Sequence, residues 1–346
     1  MTRTAHADLL QARQVAYAAA IDAFIEQRLA ALDGPPDLIN MLRYHFGWVD
    51  ERFQPVRQAA GKRVRPLLCL LACEAAGGDW RAAVPNAAAV ELVHNFSLIH
   101  DDIEDDSPLR RHRPTVWALW GVPLAINLGD ALLIEAPLAV LAQEGPAERT
   151  LAAVALLGQA CRALCAGQHR DLAPERAIPS LEEYYAMISG KTAALLATAT
   201  ELGALAAGAP PAARAAYAAF GRELGLAFQL QDDLLDVWGA SARRGKAARE
   251  DVRTAKHSFP LAAAYSRADA DTRAELERLC AHVPLAEAAV ETVVALFERL
   301  GVREEGERRV AEHHTAALRA LEAAGPIEPG RGLLISLVHS LLARQA

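Results

Sequence analysis

Two short runs of carboxylates stand out because local physics opposes both. The first is Asp101, Asp102, Glu104, Asp105 and Asp106, which closes an apolar segment containing Val90, Leu92, Val93, Phe96, Leu98 and Ile99. The second is Asp232, Asp233 and Asp236, which closes a segment containing Leu224, Leu226, Phe228 and Leu230. Ser107-Pro108 ends one predicted helix and Gly239 the other, so both clusters sit at helix C-termini. The macrodipole is negative there, and carboxylates belong at the opposite end. Asp101/Asp105, Asp102/Asp106 and Asp232/Asp236 are each four residues apart, a spacing at which like charges cost roughly 0.2–0.5 kcal/mol per pair. A cation would compensate. Magnesium characteristically takes one or two carboxylates plus phosphate oxygens and waters. One cluster alone reads equally as a solvated acidic helix end. The same Asp-Asp-x-x-Asp spacing twice, each time after an apolar helix, points to metal and phosphate chemistry.

Cations lie close by in sequence. Gly61-Lys62-Arg63-Val64-Arg65-Pro66 places three before a helix, and Arg110, Arg111 and Arg113 follow the first acidic cluster. Arginine forks suit phosphate oxygens. Such neighbours could simply form exposed ion pairs, which are worth little. Together with the carboxylates they also describe a metal–diphosphate clamp. On a helical wheel His94, Ser97, Asp101 and Asp105 share one stripe, and Gln229, Asp232 and Asp236 share another. Polar stripes on apolar helices predict two helices facing a shared cavity.

The elements that must carry these residues are helical. The 346 residues are 52% hydrophobic and only 5% aromatic. Alanine, the strongest helix former, is abundant. Strand-length β-branched runs are scarce, so the expected class is all-α. Periodicity and Pro/Gly breaks predict helices over 5–32, 37–58, 64–77, 84–106, 115–143, 147–171, 180–207, 211–238, 260–282, 284–300, 303–324 and 330–345. That is a single domain over 1–346, a bundle of about twelve helices around a central cavity, without a solenoid repeat. The basic stretch 239–253 is the most loop-like. The net charge of −7 shows no basic excess of the kind nucleic-acid binders carry. Five cysteines, an odd number, argue against a disulfide framework; the pairs Cys69/Cys73 and Cys161/Cys165 read as buried thiols rather than zinc ligands. No secretory leader is evident, and the uncharged stretch 114–129 is too short to span a bilayer. The expectation is a cytoplasmic protein with no transmembrane segment.

Over roughly residues 60 to 260 the sequence resembles the trans-isoprenyl diphosphate synthases, or polyprenyl synthetases. The signature is the pair Asp101-Asp102-Ile103-Glu104-Asp105 and Asp232-Asp233-Leu234-Leu235-Asp236, the second led by Gln229-Leu230-Gln231. The resemblance implies head-to-tail condensation of isopentenyl diphosphate with an allylic prenyl diphosphate, and a homodimer. It implies Mg²⁺, three ions per active site, held chiefly by Asp101, Asp105 and Asp232, with Asp102, Asp233 and Asp236 in support. Lys62, Arg65, His94 and Arg111 match residues on the isopentenyl side, and Arg110, Lys246 and Lys256 match residues on the allylic side. Lys191 and Thr192 match a pair beside the reacting carbons, where Thr192 and Gln229 would turn weak dipoles toward the allylic cation. Ala60, His112 and Ser258 depart from the usual pattern, at positions where glycine, glycine and threonine are common. Phe96 and Ser97, five and four residues before the first motif, match positions that set product length. One aromatic, one small residue and no insertion in the motif resemble the geranylgeranyl (C20) makers more than farnesyl (C15) or longer-chain ones.

Three rivals are weaker. A class I terpene cyclase normally lacks the isopentenyl residues present here. A di-iron bundle needs a second Glu-x-x-His beside Glu91-Leu92-Val93-His94, and none is found. A non-catalytic partner subunit tends to lose an aspartate motif, and both are intact.

Overall fold

Alanine-rich segments with few strand formers fold as helices nearly throughout. A computed structural model describes residues 3–56, 63–173, 178–239 and 249–342. Its helices are α1 (Arg3–Ala30), α2 (Pro36–His45), α3 (Val64–Ala75), α4 (Val84–Glu104), α5 (Val116–Trp120), α6 (Val122–Leu141), α7 (Ala147–Leu172) and α8 (Leu181–Ile188). There follow α9 (Ala194–Ala206), α10 (Pro211–Trp238), α11 (Glu250–Arg253), α12 (Phe259–Arg267), α13 (Ala270–Cys280), α14 (Glu287–Arg299), α15 (Val302–Ala323) and α16 (Gly330–Leu342). The all-α class is therefore observed. The one ladder among the described residues is a small hairpin, β1 (Leu109–Arg110) against β2 (Arg113–Pro114).

The residues group into two compact units. One comprises Met1–Gln159, Thr198–Ala215 and Ala324–Ser336; the other comprises Ala160–Ala197, Ala216–Ala323 and Leu337–Ala346. In the first unit α4 is the central helix. Ala87, Ala88, Ala89, Val90, Leu92, Val93 and Ile99 are buried along it. α6 crosses it so closely that a Cβ on Gly129 would lie 2.2 Å from His100 Nε2. Deep in the same unit, Glu135 of α6 is held by Arg28 at 2.9 Å. In the second unit the core gathers Tyr184, Leu230, Phe259, Leu276, Val290 and Phe297, from α8, α10 and α12–α14.

Several predicted spans break earlier than periodicity suggested. The 37–58 helix stops at His45, because Gly47 turns at φ 80° and Asp50 accepts the Arg52 and Gln54 amides. The 115–143 helix divides at Gly121, φ 87°, just before Pro123. The 260–282 helix divides at extended Ala268, after which Asp269 caps α13 through the Thr272 amide. Within 180–207 a π-helical turn, Ser189–Ala193, separates α8 from α9. α6 and α7 are long and apolar enough to cross a membrane by length and hydropathy, which the count of uncharged residues had not shown. Cys69 and Cys73 are buried as expected, but Cys165 is exposed.

Candidate functional site

In the first unit, the middle and the C-terminal end of α4 carry the candidate residues. Arg63 caps α3 in the left-handed region (φ 44°) and pairs with Asp22, while Arg65 Nη1 meets His94 Nε2 of α4 at 3.2 Å. Burial and the adjacent Arg65 hold His94 well below the usual histidine range, so it is neutral. One turn away Glu91 and Asn95 form a buried polar pair, Asn95 Nδ2 donating to Glu91 Oε1 at 3.0 Å. His45 Nε2 reaches Asn95 Oδ1 at 3.1 Å, and since that oxygen only accepts, His45 donates. Burial, with Arg110 and Arg111 nearby, pushes His45 down to about 3.

The first aspartate motif occupies the last turn of α4. Asp101 is half-buried and Asp105 exposed, but Asp102 is buried and accepts from Arg110 Nε at 2.7 Å. Burial raises the Asp102 pKa, and Arg110 offsets part of that rise. The β1–β2 turn holds Arg111 and His112 at φ 52° and 63°. A two-residue hairpin turn with both φ positive favours Asn-Gly. Non-glycine residues there cost of order 1–2 kcal/mol each, so the unusual His112 is accommodated at a cost in strain. Asn95, Asp102, Arg110, Arg111 and Arg113 line a cavity of about 340 Å³ together with Tyr44 and His45.

In the second unit, the second motif ends α10. Asp232 is exposed. Asp236 accepts the Asp251 amide at 3.0 Å. Asp233 is buried: Oδ2 accepts from the Tyr184 hydroxyl and the Phe259 amide, both at 2.8 Å, and Oδ1 accepts from Gln229 Nε2 at 2.8 Å. Burial raises its pKa to about 7, against those three donors, which favour the anion. Asp233, matched by the sequence to a supporting metal ligand, accepts from protein donors at both its oxygens. The same holds in part for Asp102, whose Oδ1 serves Arg110.

Lys191 and Thr192 lie in the π turn. Its cause is backbone contact: Cβ atoms on Gly167 and Gly190 would meet Lys191 N at 2.2 Å and Ala163 O at 2.5 Å. Only glycines let α7 approach this turn. Lys191 Nζ then reaches Asp171 Oδ2 at 2.5 Å, and Thr192 Oγ1 donates to Gln229 Oε1 at 2.8 Å. Lys256 lies 3.7 Å from Asp251. Lys62 and Lys246 lie outside the described residues. Phe96 is buried and edge-on to His100, while Ser97 is half-buried and donates to the His94 carbonyl.

Sequence reasoning missed Asp171, Tyr184, Asp251 and the Glu91–Asn95–His45 chain. Asp171 is 20 residues from Lys191, beyond any local pattern. Glu91 and Asn95 did leave a signal, a polar i,i+4 pair among the apolar residues of α4.

Asp101 and Asp105 in the first unit, and Asp232 in the second, each offer carboxylate oxygens, the donor type magnesium takes. Among the described residues no three His, Cys, Asp or Glu side chains already form a metal cage. An ion that completes its sphere with phosphate oxygens and waters does not need one.

Comparisons with known proteins agree with this chemistry. The family model described as polyprenyl synthetase matches residues 47–297. A (2E,6E)-farnesyl diphosphate synthase of Mycobacterium tuberculosis is 48% identical over 227 residues, 65% of this chain and 63% of that protein. The aligned segment thus spans less than two thirds of that relative's length. A geranylgeranyl diphosphate synthase of the same organism is 41% identical over 292 residues, 83% of this chain and 82% of that one. The crystal structure of a polyprenyl synthetase from Streptomyces coelicolor superposes with a TM-score of 0.89 at 35% identity, covering 96% of this chain and 99% of that one. With the family's pattern matched over residues 47–297 and both aspartate motifs in place, the chain belongs to the polyprenyl synthetase family.

Proposed function

We propose that the protein is a magnesium-dependent prenyltransferase that joins isopentenyl diphosphate to an allylic prenyl diphosphate, yielding the C20 geranylgeranyl product. The observation that carries the reading is the retention of both aspartate motifs together with an assembled Arg65–His94 pair and a Thr192–Gln229 pair. Bound Mg²⁺ would neutralise diphosphate charge and so favour ionisation of the allylic C–O bond. Asp101, Asp105 and Asp232 are the carboxylates assigned to hold it, with Asp236 in support, in a complement of three ions.

The chain's own residues divide the remaining work. Neutral His94 and cationic Arg65, with Lys62 and Arg111, are assigned to the isopentenyl diphosphate. Arg110, Lys246 and Lys256 are assigned to the allylic diphosphate. Lys191, kept in place by Asp171, and Thr192 with Gln229 are assigned to the reacting carbons. The proton lost after coupling goes to the released diphosphate, since no described side chain is placed as a dedicated base. The apolar side chains Ile134, Leu138 and Leu141, exposed on α6, support a homodimer in which a second copy covers them.

Product length rests on α4. Phe96 is the bulky residue and Ser97 the small one, and a chain growing along this helix would meet Phe96 as a floor. The alternative product is farnesyl diphosphate, favoured by the 48% identity to a protein of that name. Chromatography of products from isopentenyl diphosphate and each allylic primer decides between them. Phe96→Ala should lengthen the main product by at least one five-carbon unit, and Ser97→Phe should shorten it. A folded Phe96→Ala protein with an unaltered product distribution would defeat the floor assignment; simple core loss would instead cost about 3–5 kcal/mol of stability.

A further inference from the structure

The middle aspartate of the second motif is built into the protein, whereas its neighbour Asp232 reaches solvent. We propose that Asp233 is a positioning residue, which fixes the direction of the Thr192 hydroxyl through Gln229 and does not hold metal. The inference deepens the proposed prenyl transfer and rests on it.

The argument follows hydrogen-bond polarity along the relay. The Phe259 amide can only donate, and it donates to Asp233 Oδ2 at 2.8 Å; the Tyr184 hydroxyl joins it there. The Asp233 carboxylate accepts at both oxygens, from the three donors around it. Gln229 therefore has to turn its amide nitrogen toward Oδ1, as it does at 2.8 Å. That choice leaves the amide oxygen of Gln229 on the opposite side, facing Thr192. An amide oxygen only accepts, so the Thr192 hydroxyl spends its proton there, at 2.8 Å. Each link dictates the next. The outcome is a hydroxyl whose proton is used inside the relay and whose lone pairs remain for whatever lies beyond.

A second contact keeps the relay rigid. A Cβ on Gly225 would lie 2.7 Å from the Ala193 Cα. α10 thus touches the π turn backbone to backbone, one helical turn before Gln229. Thr192 and Asp233 are both buried, where a fixed dipole acts with little screening. For an allylic fragment gaining positive charge, outward lone pairs are the stabilising end of that dipole. The reversed hydroxyl would present its proton to the same charge.

Asp233→Asn tests this with almost no change of shape. The introduced side-chain oxygen can still serve the Phe259 amide, but the introduced nitrogen then faces Gln229. Gln229 must flip, its nitrogen then donates to Thr192, and the hydroxyl proton turns outward. In steady-state assays with isopentenyl and allylic diphosphates, kcat should fall roughly 10- to 100-fold. Both KM values and the Mg²⁺ half-saturation should stay within about twofold. Adding Gln229→Glu restores the original polarity, because a carboxylate there accepts from the introduced amide nitrogen on one side and from Thr192 on the other. The double variant should recover kcat to within about tenfold of the parent.

A Mg²⁺ half-saturation raised as much as in Asp232→Asn would show Asp233 to be a ligand and overturn the proposal. So would a double variant no faster than Asp233→Asn alone. Should the single variant not fold, the double variant decides by itself: a folded protein with parental KM values but less than about a hundredth of parental kcat overturns the relay. Absence of turnover in the parent protein with every primer would instead reject the prenyltransferase reading.

Discussion

The two Asp-Asp-x-x-Asp motifs are alike in sequence and opposite in how their middle residue is kept. Asp102 is held by a cation, Arg110, at 2.7 Å. Asp233 is held by three neutral donors at 2.8 Å. The difference follows from what comes next in the chain. After Asp102 the polypeptide turns back in a two-residue hairpin that returns Arg110 to the helix end. After Asp233 the helix runs on to Trp238, and the buried face of α10 meets Tyr184 and the start of α12 instead. A motif therefore specifies carboxylates at fixed helical positions, and the neighbouring elements decide which of them remain for a metal.

The outer aspartates should show the largest effects. Asp101→Ala and Asp232→Ala should each lower turnover about a thousandfold or more, since under the proposed function each would remove an oxygen ligand at the point where leaving-group charge develops. Both variants should stay folded, because a helix C-terminus gains from losing a carboxylate. Turnover undiminished in either variant, or in excess chelator, would break the assignment. The middle aspartates should differ in stability. Arg110→Ala strips the cation from buried Asp102 and should cost about 2 kcal/mol, less than a fully enclosed pair because Arg110 is partly solvated. Tyr184→Phe removes one of three donors from Asp233 and should cost about 1 kcal/mol. Urea titrations of the two variants give the comparison directly, and a larger loss for Tyr184→Phe would reverse it.

Much of this was legible in the sequence for a physical reason. The clusters at Asp101–Asp106 and Asp232–Asp236 break a local rule, and a broken local rule is visible without a structure. The helices were visible because apolar periodicity is strong in α3, α4 and α10, the last two rich in alanine. What stayed hidden depends on contacts between distant segments. The π turn at Lys191 exists because Gly167 lets α7 touch Gly190. The Asp171–Lys191 pair and the Tyr184–Asp233 bond join residues 20 and 49 positions apart. The helix breaks at Gly47 and Gly121 were written in the sequence as glycines, but the apolar pattern running through them outweighed the signal.

The contrast between the two units extends to acid stability. The first unit buries His45 beside Arg110 and Arg111 and uses it as a neutral donor to Asn95. Its pKa is about 3 in the folded protein, against an ordinary value of 6.5. Between those two values the unfolded chain binds a proton that the folded one refuses, so stability falls as pH drops through that window. The slope approaches about 1.4 kcal/mol per pH unit for one such group. Neutral His94, also pushed down by burial and Arg65, adds to the same slope and remains in both proteins compared. His45→Gln keeps a side-chain N–H for Asn95 but cannot titrate. Its stability at pH 7 should lie within about 1 kcal/mol of the parent. On going from pH 6.5 to pH 4.5 the parent should lose about 2–3 kcal/mol more than the variant. Urea unfolding at those pH values measures the difference, and equal losses in the two proteins would show that His45 is not the group that refuses the proton.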